Sequence, residues 1–407
     1  MTATAVFGLI GILLIIGFLA DYLFRKTNFP DILILLALGY LLGPVFGIID
    51  PSQLAPASQM IASLALVVIL FCSGLEFEFS RVLSSTPRAI LLVIFGVGVS
   101  IASIAASAHY LFQWELMDSL LLGTIVGGTS SAIVIPLITR ARVPAQVTSL
   151  LSMESVLNSP VIIVMALVIL EVICSGKTGV EIPVVAQAIG IQFALGLASG
   201  IVVGFFWLWM LTILEKEGYS DILTLAVVFL FYFLVETIDG SGVIFALVFG
   251  LILGNGVSVA RFLRIKRTVE TTEIMKRFHS QIYFLIKTFF FIYLGLMITF
   301  SKPTLVVIGG ILAIILLATR YIAVIFSSIG SRTLLSNTGI LTTMLARGEA
   351  AAVLVQIVVA ANIHNADVYP DLIMTIIVST VIISALGIII FGRKSPKSET
   401  GYNNVIA

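Results

Sequence analysis

The stretch "GTIVGGTSSAIVIP", residues 123–136, places three glycines, two threonines and two serines before a proline, all within a long apolar run. Glycine and proline weaken a helix, and hydroxyl side chains compete for its backbone hydrogen bonds. A second stretch, "TTMLARGEAAAVL" at residues 342–354, places Arg-Gly-Glu within another apolar run. Both segments are therefore predicted to be helices that break near their middle. For the first segment, close helix packing through small residues is the alternative.

The chain around these segments has the composition of a membrane protein. Apolar residues make up 59% of the sequence and charged residues 11%, and the mean hydropathy is +1.18. Apolar runs of roughly 20 residues, separated by charges or by Pro, Gly and Asn clusters, predict about thirteen transmembrane helices. They lie at approximately 5–24, 31–49, 58–78, 89–111, 117–139, 146–173, 182–213, 221–238, 241–257, 280–300, 303–328, 335–361 and 370–391.

The two breakable segments fall in predicted spans 5 and 12, which occupy corresponding positions in the two halves of the chain. One further span follows each of them. Irregular backbone at membrane depth is tolerated only where it is buried in protein or lines a wet cavity. Paired interrupted helices are typical of transporters built from inverted repeats. The predicted fold class is therefore an all-α polytopic membrane protein with inverted repeats and two broken helices.

Basic residues are distributed unevenly between alternate loops. If the N-terminus is outside, the inner loops carry most of the 22 Lys and Arg residues, whereas the outer loops hold only Lys177 and Lys302. This bias predicts a cytoplasmic C-terminus. The first apolar stretch lacks the features of a cleaved signal and is expected to remain as a helix. Residues 393–407 are expected to form a short cytoplasmic tail.

Ionisable groups inside the predicted spans indicate function, because each costs about 2.5–3.5 kcal/mol to insert. For Glu236, near an interface, and Lys287, able to snorkel or cap a carbonyl, a structural role is the expected one. Glu154 and Arg320 lie near mid-span with opposite charges and are predicted to form a buried ion pair. The other members of this group are Glu76, Arg347 and Glu349.

Other classes of function fit the sequence less well. The three histidines lie near span ends and far apart, which argues against a membrane-embedded zinc or serine hydrolase. Cys72 and Cys174 give no metal-site or disulfide spacing. We therefore expect no enzyme activity, no cofactor and no nucleic-acid partner. A transporter of neutral organic solutes is the alternative class.

Eight segments together make the chain resemble the monovalent cation:proton antiporter superfamily, which includes sodium/proton and potassium/proton antiporters. The resemblance covers residues 1–392. The segments are "FPDILILLALGYLLGP" at 29–44, "GLEF" at 74–77, "GGTSSAIVIPL" at 127–137, "ESVLN" at 154–158, "GSGVIFALVFGLILGN" at 240–255, "FFFIYLGL" at 289–296, "ATRYIAVIF" at 318–326 and "ARGEAAAVL" at 346–354.

The resemblance implies a secondary active antiporter that exchanges Na⁺ or K⁺ for protons in the cell membrane. It implies one membrane domain, residues 1–392, in which the two broken helices cross at the ion site. The dimerisation part would be approximately 1–80 and 221–300, and the core part approximately 89–173 and 303–391. A homodimer in contact with membrane lipid is implied. Small-residue faces that include Gly39, Gly43, Gly250 and Gly254 are predicted to be compatible with its interface.

Residue by residue, the resemblance places Thr129 and Ser130 at the break in span 5 and Ser155 among the oxygen ligands of the cation. Asn158 and Ser159 complete the predicted cation-binding set. The resemblance matches Glu154 and Arg320 to an acid and a base that brace the core. Arg347 and Glu349 are the charges of the second broken helix. Because Ser130 stands where many members have an acid, K⁺ is slightly favoured, with Na⁺ and Li⁺ open.

Position 159 departs from the family pattern. Sodium-type members have an aspartate after "ESVLN", and this carboxylate binds cation and proton alternately, whereas a serine hydroxyl does not titrate near neutral pH. Three explanations are open: an engineered variant that is inactive or locked, transfer of the titrating role to Glu76 or Glu154, or an uncoupled channel, carrier or sensor. With Ser159 in place of this carboxylate, the cavity is expected to bind the cation weakly, because one negative charge is missing, and with little pH dependence near neutrality.

Overall fold

A computed structural model of the chain describes residues 3–27, 30–49, 55–77, 87–141, 143–175, 182–214, 219–258, 273–298 and 303–392. Within these ranges all regular secondary structure is helical, which confirms the predicted all-α class. The predicted tail, 393–407, and the outer-loop residues Lys177 and Lys302 lie outside the described residues.

The described helices are numbered α1 to α16 in chain order. They are α1 (Ala3–Thr27), α2 (Asp31–Tyr40), α3 (Ala55–Glu76), α4 (Pro87–Phe112), α5 (Leu116–Ile125), α6 (Ser131–Arg140), α7 (Ala145–Cys174), α8 (Ile182–Leu214), α9 (Ser220–Thr237), α10 (Gly242–Gly254), α11 (Glu273–Met297), α12 (Pro303–Ser328), α13 (Arg332–Ser336), α14 (Thr338–Thr343), α15 (Glu349–Ala361) and α16 (Tyr369–Phe391). A π-helical turn, Leu41–Val45, continues α2 around Pro44, a residue that lacks the N–H needed for a regular helix.

Seven described helices are long and apolar enough to cross a bilayer, namely α4, α7, α8, α9, α11, α12 and α16. Shorter apolar helices of 10–17 residues occur in α1, α2, α3, α5, α10 and α15. The chain is therefore a multi-pass membrane protein. Each predicted span contains a helix or a pair of short helices, but these lengths do not by themselves establish thirteen crossings.

Both segments that were predicted to break are interrupted. The first helix stops at Ile125 and resumes at Ser131, and the second stops at Thr343 and resumes at Glu349. The backbone N–H of Ser130 donates to the carbonyl of Ala346 at 2.8 Å, so the two breaks touch. The prediction of two crossed broken helices is confirmed.

Close packing through small residues also occurs in the first segment. Gly123 lies against the α4 backbone, where a Cβ atom would meet the carbonyl oxygen of Ile101 at 2.6 Å. The two interpretations of residues 123–136 therefore apply to different positions: α5 packs closely on α4 through Gly123, and the helix then opens after Ile125.

Helices on both sides of the breaks hold them in place. Long helices precede and follow each broken segment, α4 and α7 around the first and α12 and α16 around the second. Helix α7 packs against α4, α5, α6 and α15, and α16 packs against α6, α12, α14 and α15. The breaks thus lie inside a helix bundle that supplies side chains to their open backbone groups.

The glycines that were expected to be compatible with a dimer face are used within one chain. Gly39 and Gly43 lie against α11, and Gly250 and Gly254 lie against the α3 backbone. A Cβ atom at Gly39, Gly250 or Gly254 would overlap backbone atoms of the facing helix. That part of the dimer prediction is wrong, because small residues permit close helix packing without specifying whether the facing helix belongs to the same chain.

Candidate functional site

A small cavity lies where the two breaks cross. Its walls come from the first break, from α7 and from the second break. The lining residues are Gly128, Thr129, Ser130, Ser159, Ile162, Gly348, Glu349, Ala350 and Ala351. Its volume is about 10 Å³. A space of roughly 10–15 Å³ holds one water molecule, so the cavity matches one water or one small ion and is far too small for an organic solute.

The predicted oxygen ligands cluster on one side of this cavity. Thr129 and Ser130 are buried in the first break, and Ser159 is half-buried on α7. Asn158 lies behind Thr129 and donates to its Oγ1 at 3.0 Å. The Ser155 hydroxyl donates to the Ser152 carbonyl at 3.2 Å, and Ser155 does not line the cavity.

One buried acceptor on this side lacks a donor. The Asn158 side chain is 1% exposed, and its Oδ1 accepts no hydrogen bond from any residue in the described part of the chain. A buried polar atom without a partner costs about 1–3 kcal/mol. An amide oxygen beside the Thr129 hydroxyl is a suitable oxygen ligand for a cation.

Glu154 and Arg320, the predicted pair, form a buried bidentate ion pair. Arg320 Nη1 and Nη2 donate to Glu154 Oε1 and Oε2 at 2.6 and 2.7 Å. The Arg320 Nε donates to the Leu341 carbonyl at 3.0 Å, close to the second break. The pair therefore ties α7 to α12 and to the end of α14, and it occupies both oxygens of the Glu154 carboxylate.

Arg347 turns away from Glu349 although the two are separated by one residue. Its Nη1 donates to the carbonyl of Gly127 at 2.9 Å, just beyond the end of α5, and its backbone N–H donates to Thr380 Oγ1 at 3.1 Å. The carbonyl end of a helix carries partial negative charge and favours a nearby cation. Arg347 thus stabilises the opened end of the opposite broken helix.

Glu349 points into the cavity. Its Oε2 accepts from Ser130 Oγ and its Oε1 accepts from the Tyr283 hydroxyl, each at 3.0 Å. Glu349 is buried and is the only carboxylate among the described residues that line the cavity. Both hydrogen-bond partners are neutral, so its charge is not balanced by these contacts.

Gly348 allows the second break to approach the first. A Cβ atom at this position would lie 2.7 Å from the Ser130 Cβ. Glycine is therefore required at this position by the narrow space between the breaks.

Three further ionisable residues that the sequence singled out do not line the cavity. Lys287 forms a buried ion pair with Asp31, with 2.8 Å between Nζ and Oδ2, so the expectation that it snorkels or caps a carbonyl is wrong. Glu236 accepts from the Gly242 N–H at 2.8 Å, at the start of α10. Glu76 ends α3 with an exposed side chain and does not line the cavity.

Sequence reasoning missed Tyr283 and Asp31. Tyr283 had no distinguishing signal, because it is one aromatic residue among many in an apolar helix. Asp31 could have been found, since a lysine inside a span requires an acid and Asp31 begins another span. Asp31 reaches Lys287 through the packing of α2 against α11, and Tyr283 on α11 reaches Glu349 at the start of α15.

Comparison with known proteins identifies relatives of this chain. The sodium/hydrogen exchanger transmembrane family model matches residues 10–391. A K(+)/H(+) antiporter NhaP2 of Shewanella sp. (strain ANA-3) is 29% identical over 255 residues, which are 61% of this chain and 44% of the relative. The probable Na(+)/H(+) antiporter 2 of Methanocaldococcus jannaschii is 26% identical over 263 residues, which are 61% of this chain and 60% of that protein.

A solved structure shares the fold. The sodium proton antiporter MjNhaP1 from Methanocaldococcus jannaschii at pH 8 superimposes with a TM-score of 0.74 at 21% identity, over 96% of this chain and 97% of the other. The match to the curated relatives spans 44% of the Shewanella protein and 60% of the archaeal one, less than two thirds of either. The resemblance seen in the sequence is confirmed. Because the family model covers nearly the whole described chain, the protein belongs to the sodium/hydrogen exchanger family of transmembrane proteins.

Proposed function

We propose that the protein is a secondary active antiporter that exchanges a monovalent cation for protons across a membrane. The observation that carries this proposal is an ion-sized cavity at the crossing of two broken helices, lined by hydroxyl and carboxylate oxygens. Broken helices at the midplane are where transporters of this architecture bind their ions. Relatives named as K(+)/H(+) and Na(+)/H(+) antiporters support the same activity.

The cation is proposed to be Na⁺ or K⁺, bound by oxygens from Thr129, Ser130 and Ser159, with Asn158 and Ser155 behind them. Hard monovalent cations select hydroxyl, carbonyl and carboxylate oxygens. The hydroxyl at Ser130, in place of an acid, lowers the field strength of the site and favours K⁺ over the more strongly hydrated Na⁺ and Li⁺. The size of the cavity counts against a neutral organic solute.

Exchange requires a group that binds cation and proton in turn, and this requirement limits the mechanism. Ser159 does not titrate near neutral pH. Glu154 has both carboxylate oxygens engaged by Arg320, and Glu76 lies outside the cavity. Of the two titrating candidates taken from the sequence, Glu76 is the freer, whereas Glu154 is suited to bracing α7 against α12.

The assembly follows the family resemblance as part of the same proposal. Residues 1–80 and 221–300 would form the dimerisation part, and residues 89–173 and 303–391 the moving core, in the plasma membrane with the C-terminus in the cytoplasm. Native mass spectrometry in mild detergent is expected to show a dimer. Monomer alone in several detergents and lipid discs would count against this assembly.

Flux in sealed vesicles tests the proposal directly. Purified protein is reconstituted with an internal pH dye, and Na⁺, K⁺, Li⁺ or a panel of neutral organic solutes is added outside. Antiport predicts a dye response to at least one of the monovalent cations and none to the organic solutes. An uncoupled channel or carrier would instead pass isotopic cation without moving protons, and an inactive variant would pass neither.

A further inference from the structure

We propose that Glu349 is the carboxylate that binds the transported cation and exchanges it for a proton. The inference rests on the proposed antiport function and names the acting group within its site. Glu349 belongs to the second broken helix, whereas the family's acid would stand at position 159 on α7. Residues 159 and 349 line the same cavity from different walls. The charge lost at Ser159 is thus supplied by Glu349.

The position of Glu349 in the cavity is the first argument. It is buried, and no other carboxylate lines the cavity in the described part of the chain. Its Oε2 lies 3.0 Å from Ser130 Oγ, so a cation bound at the Ser130 hydroxyl would also be within reach of this carboxylate. Attraction to one negative charge is strong in such a site because little water screens it.

The partners of Glu349 are the second argument. Ser130 and Tyr283 each donate one hydrogen bond to it, and both are neutral. No ion pair joins Glu349 to a Lys or Arg of the described residues, and Lys287 and Arg320 instead pair with Asp31 and Glu154. An unpaired buried charge is costly, so either a cation or a proton is needed to neutralise it.

Charged groups on neighbouring helices do not neutralise Glu349. Glu76 at the end of α3 and Lys287 on α11 are within electrostatic range of it, and their charges oppose one another. Arg347 is directed to the Gly127 carbonyl. On α7, the charge of Glu154 is already neutralised by Arg320. On α16, the hydroxyls of Thr380 and Ser384 accept hydrogen bonds from backbone N–H groups of the second break.

The exchange balances in charge. A protonated Glu349 loses its proton as one monovalent cation binds to the carboxylate, and the cavity carries the same total charge before and after. One cation therefore moves for one proton, without net charge transfer. The Ser130 and Tyr283 hydroxyls suit both states, because each can donate to the carboxylate or accept from the acid.

Glu349→Gln tests the inference with little risk to folding. Glutamine has the same shape, and the two hydroxyls can rotate to serve its amide. Glu236→Gln is the matched control, since Glu236 is a glutamate in α9 that accepts a hydrogen bond from Gly242 and does not line the cavity. Glu349→Asp keeps the charge. Glu76→Gln tests the competing candidate.

Two readouts separate this inference from the proposed function. The first is cation-dependent proton movement in vesicles loaded with a pH dye. The second is the thermal stabilisation of purified protein by NaCl or KCl relative to choline chloride. We expect Glu349→Gln to lower the cation-dependent proton movement and the thermal stabilisation by the cation, each by about tenfold or more, since it removes the charge that attracts the cation. Glu236→Gln should retain both, and Glu349→Asp should retain part of the flux.

The outcomes are distinct. If Glu349→Gln exchanges within about twofold of the parent protein, or if Glu76→Gln alone abolishes exchange, the inference is wrong while antiport stands. If the parent exchanges nothing but its stabilisation by cations depends on Glu349, antiport is wrong and the site assignment is supported. If the parent neither exchanges nor responds to cations through Glu349, both are wrong.

Discussion

Glu154 and Glu349 are two glutamates buried close to the same crossing of helices, and they have opposite surroundings. Glu154 is held by two guanidinium hydrogen bonds from Arg320, at 2.6 and 2.7 Å. Glu349 is held by two neutral hydroxyls, at 3.0 Å each, and faces a cavity. The first carboxylate is neutralised by the protein, whereas the second requires a cation or a proton to neutralise it.

This difference shows that depth in the membrane does not by itself identify a transport residue. Both residues carry the insertion cost of a buried acid. Only the partner decides whether that cost is offset permanently or only while an ion or a proton is bound.

Removing one member of the Glu154–Arg320 pair should give the largest loss of stability. Arg320→Ala and Glu154→Gln are each expected to cost about 3–5 kcal/mol, because each leaves the other partner buried with unsatisfied groups. Glu349→Gln should change stability far less, since it removes an unpaired charge. Thermal melting in detergent measures all three variants. The contrast between the two glutamates fails if Glu154→Gln and Arg320→Ala melt like the parent.

Gly348→Ala should separate the two breaks. An added Cβ would lie 2.7 Å from the Ser130 Cβ, so overpacking is expected to cost about 1–3 kcal/mol and to lower exchange. Gly310→Ala is the matched control, because a Cβ there meets no atom within 4 Å and alanine favours helix. Melting and vesicle flux are measured together. Equal behaviour of the two variants would show that the close approach at Gly348 does not support the site.

Moving the carboxylate from position 349 to position 159 should restore part of the exchange. In a Glu349→Gln background, Ser159→Asp is expected to raise the exchange rate about tenfold above that of Glu349→Gln alone, equivalent to about 1.4 kcal/mol. The reason is that the negative charge returns to the same cavity. Its apparent cation affinity should fall as pH drops, since a protonated carboxyl no longer attracts the cation. Dye-loaded vesicles measured over a range of pH provide the test. No recovery would mean that position 159 cannot replace position 349.

Ser130→Ala should have the smallest effect. It removes one hydroxyl that donates to Glu349 and one oxygen of the cavity, so a loss of roughly threefold to tenfold in apparent cation affinity is expected, equivalent to about 0.7–1.4 kcal/mol. Thr139→Ala on α6, whose hydroxyl binds the Ile135 carbonyl on an exposed surface, serves as control. Cation titrations of vesicle flux compare the two. An equal affinity in both variants would place the ion away from Ser130.

Several parts of the fold and site could be predicted from local residues. Glycine, hydroxyl residues and proline in 123–136, and Arg-Gly-Glu in 342–354, mark helices that cannot run unbroken. Glu154 and Arg320 could be matched because two opposite charges at mid-span need one another. The ion pair of Lys287 was less apparent, because its partner Asp31 is the first residue of a span and not a charge at mid-span.

The membrane class, the helical composition, the two interrupted segments and the polar residues near them could all be predicted from the amino-acid sequence. These features follow from composition and short-range pattern, which act through neighbours along the chain. Contacts between residues of different helices had to be read from the folded chain. The contacts of Gly39 and Gly250 with other helices, the turning of Arg347 toward Gly127 and the placement of Glu349 opposite Ser159 all depend on helix packing. Packing joins residues that are distant in sequence, and local pattern does not specify these contacts.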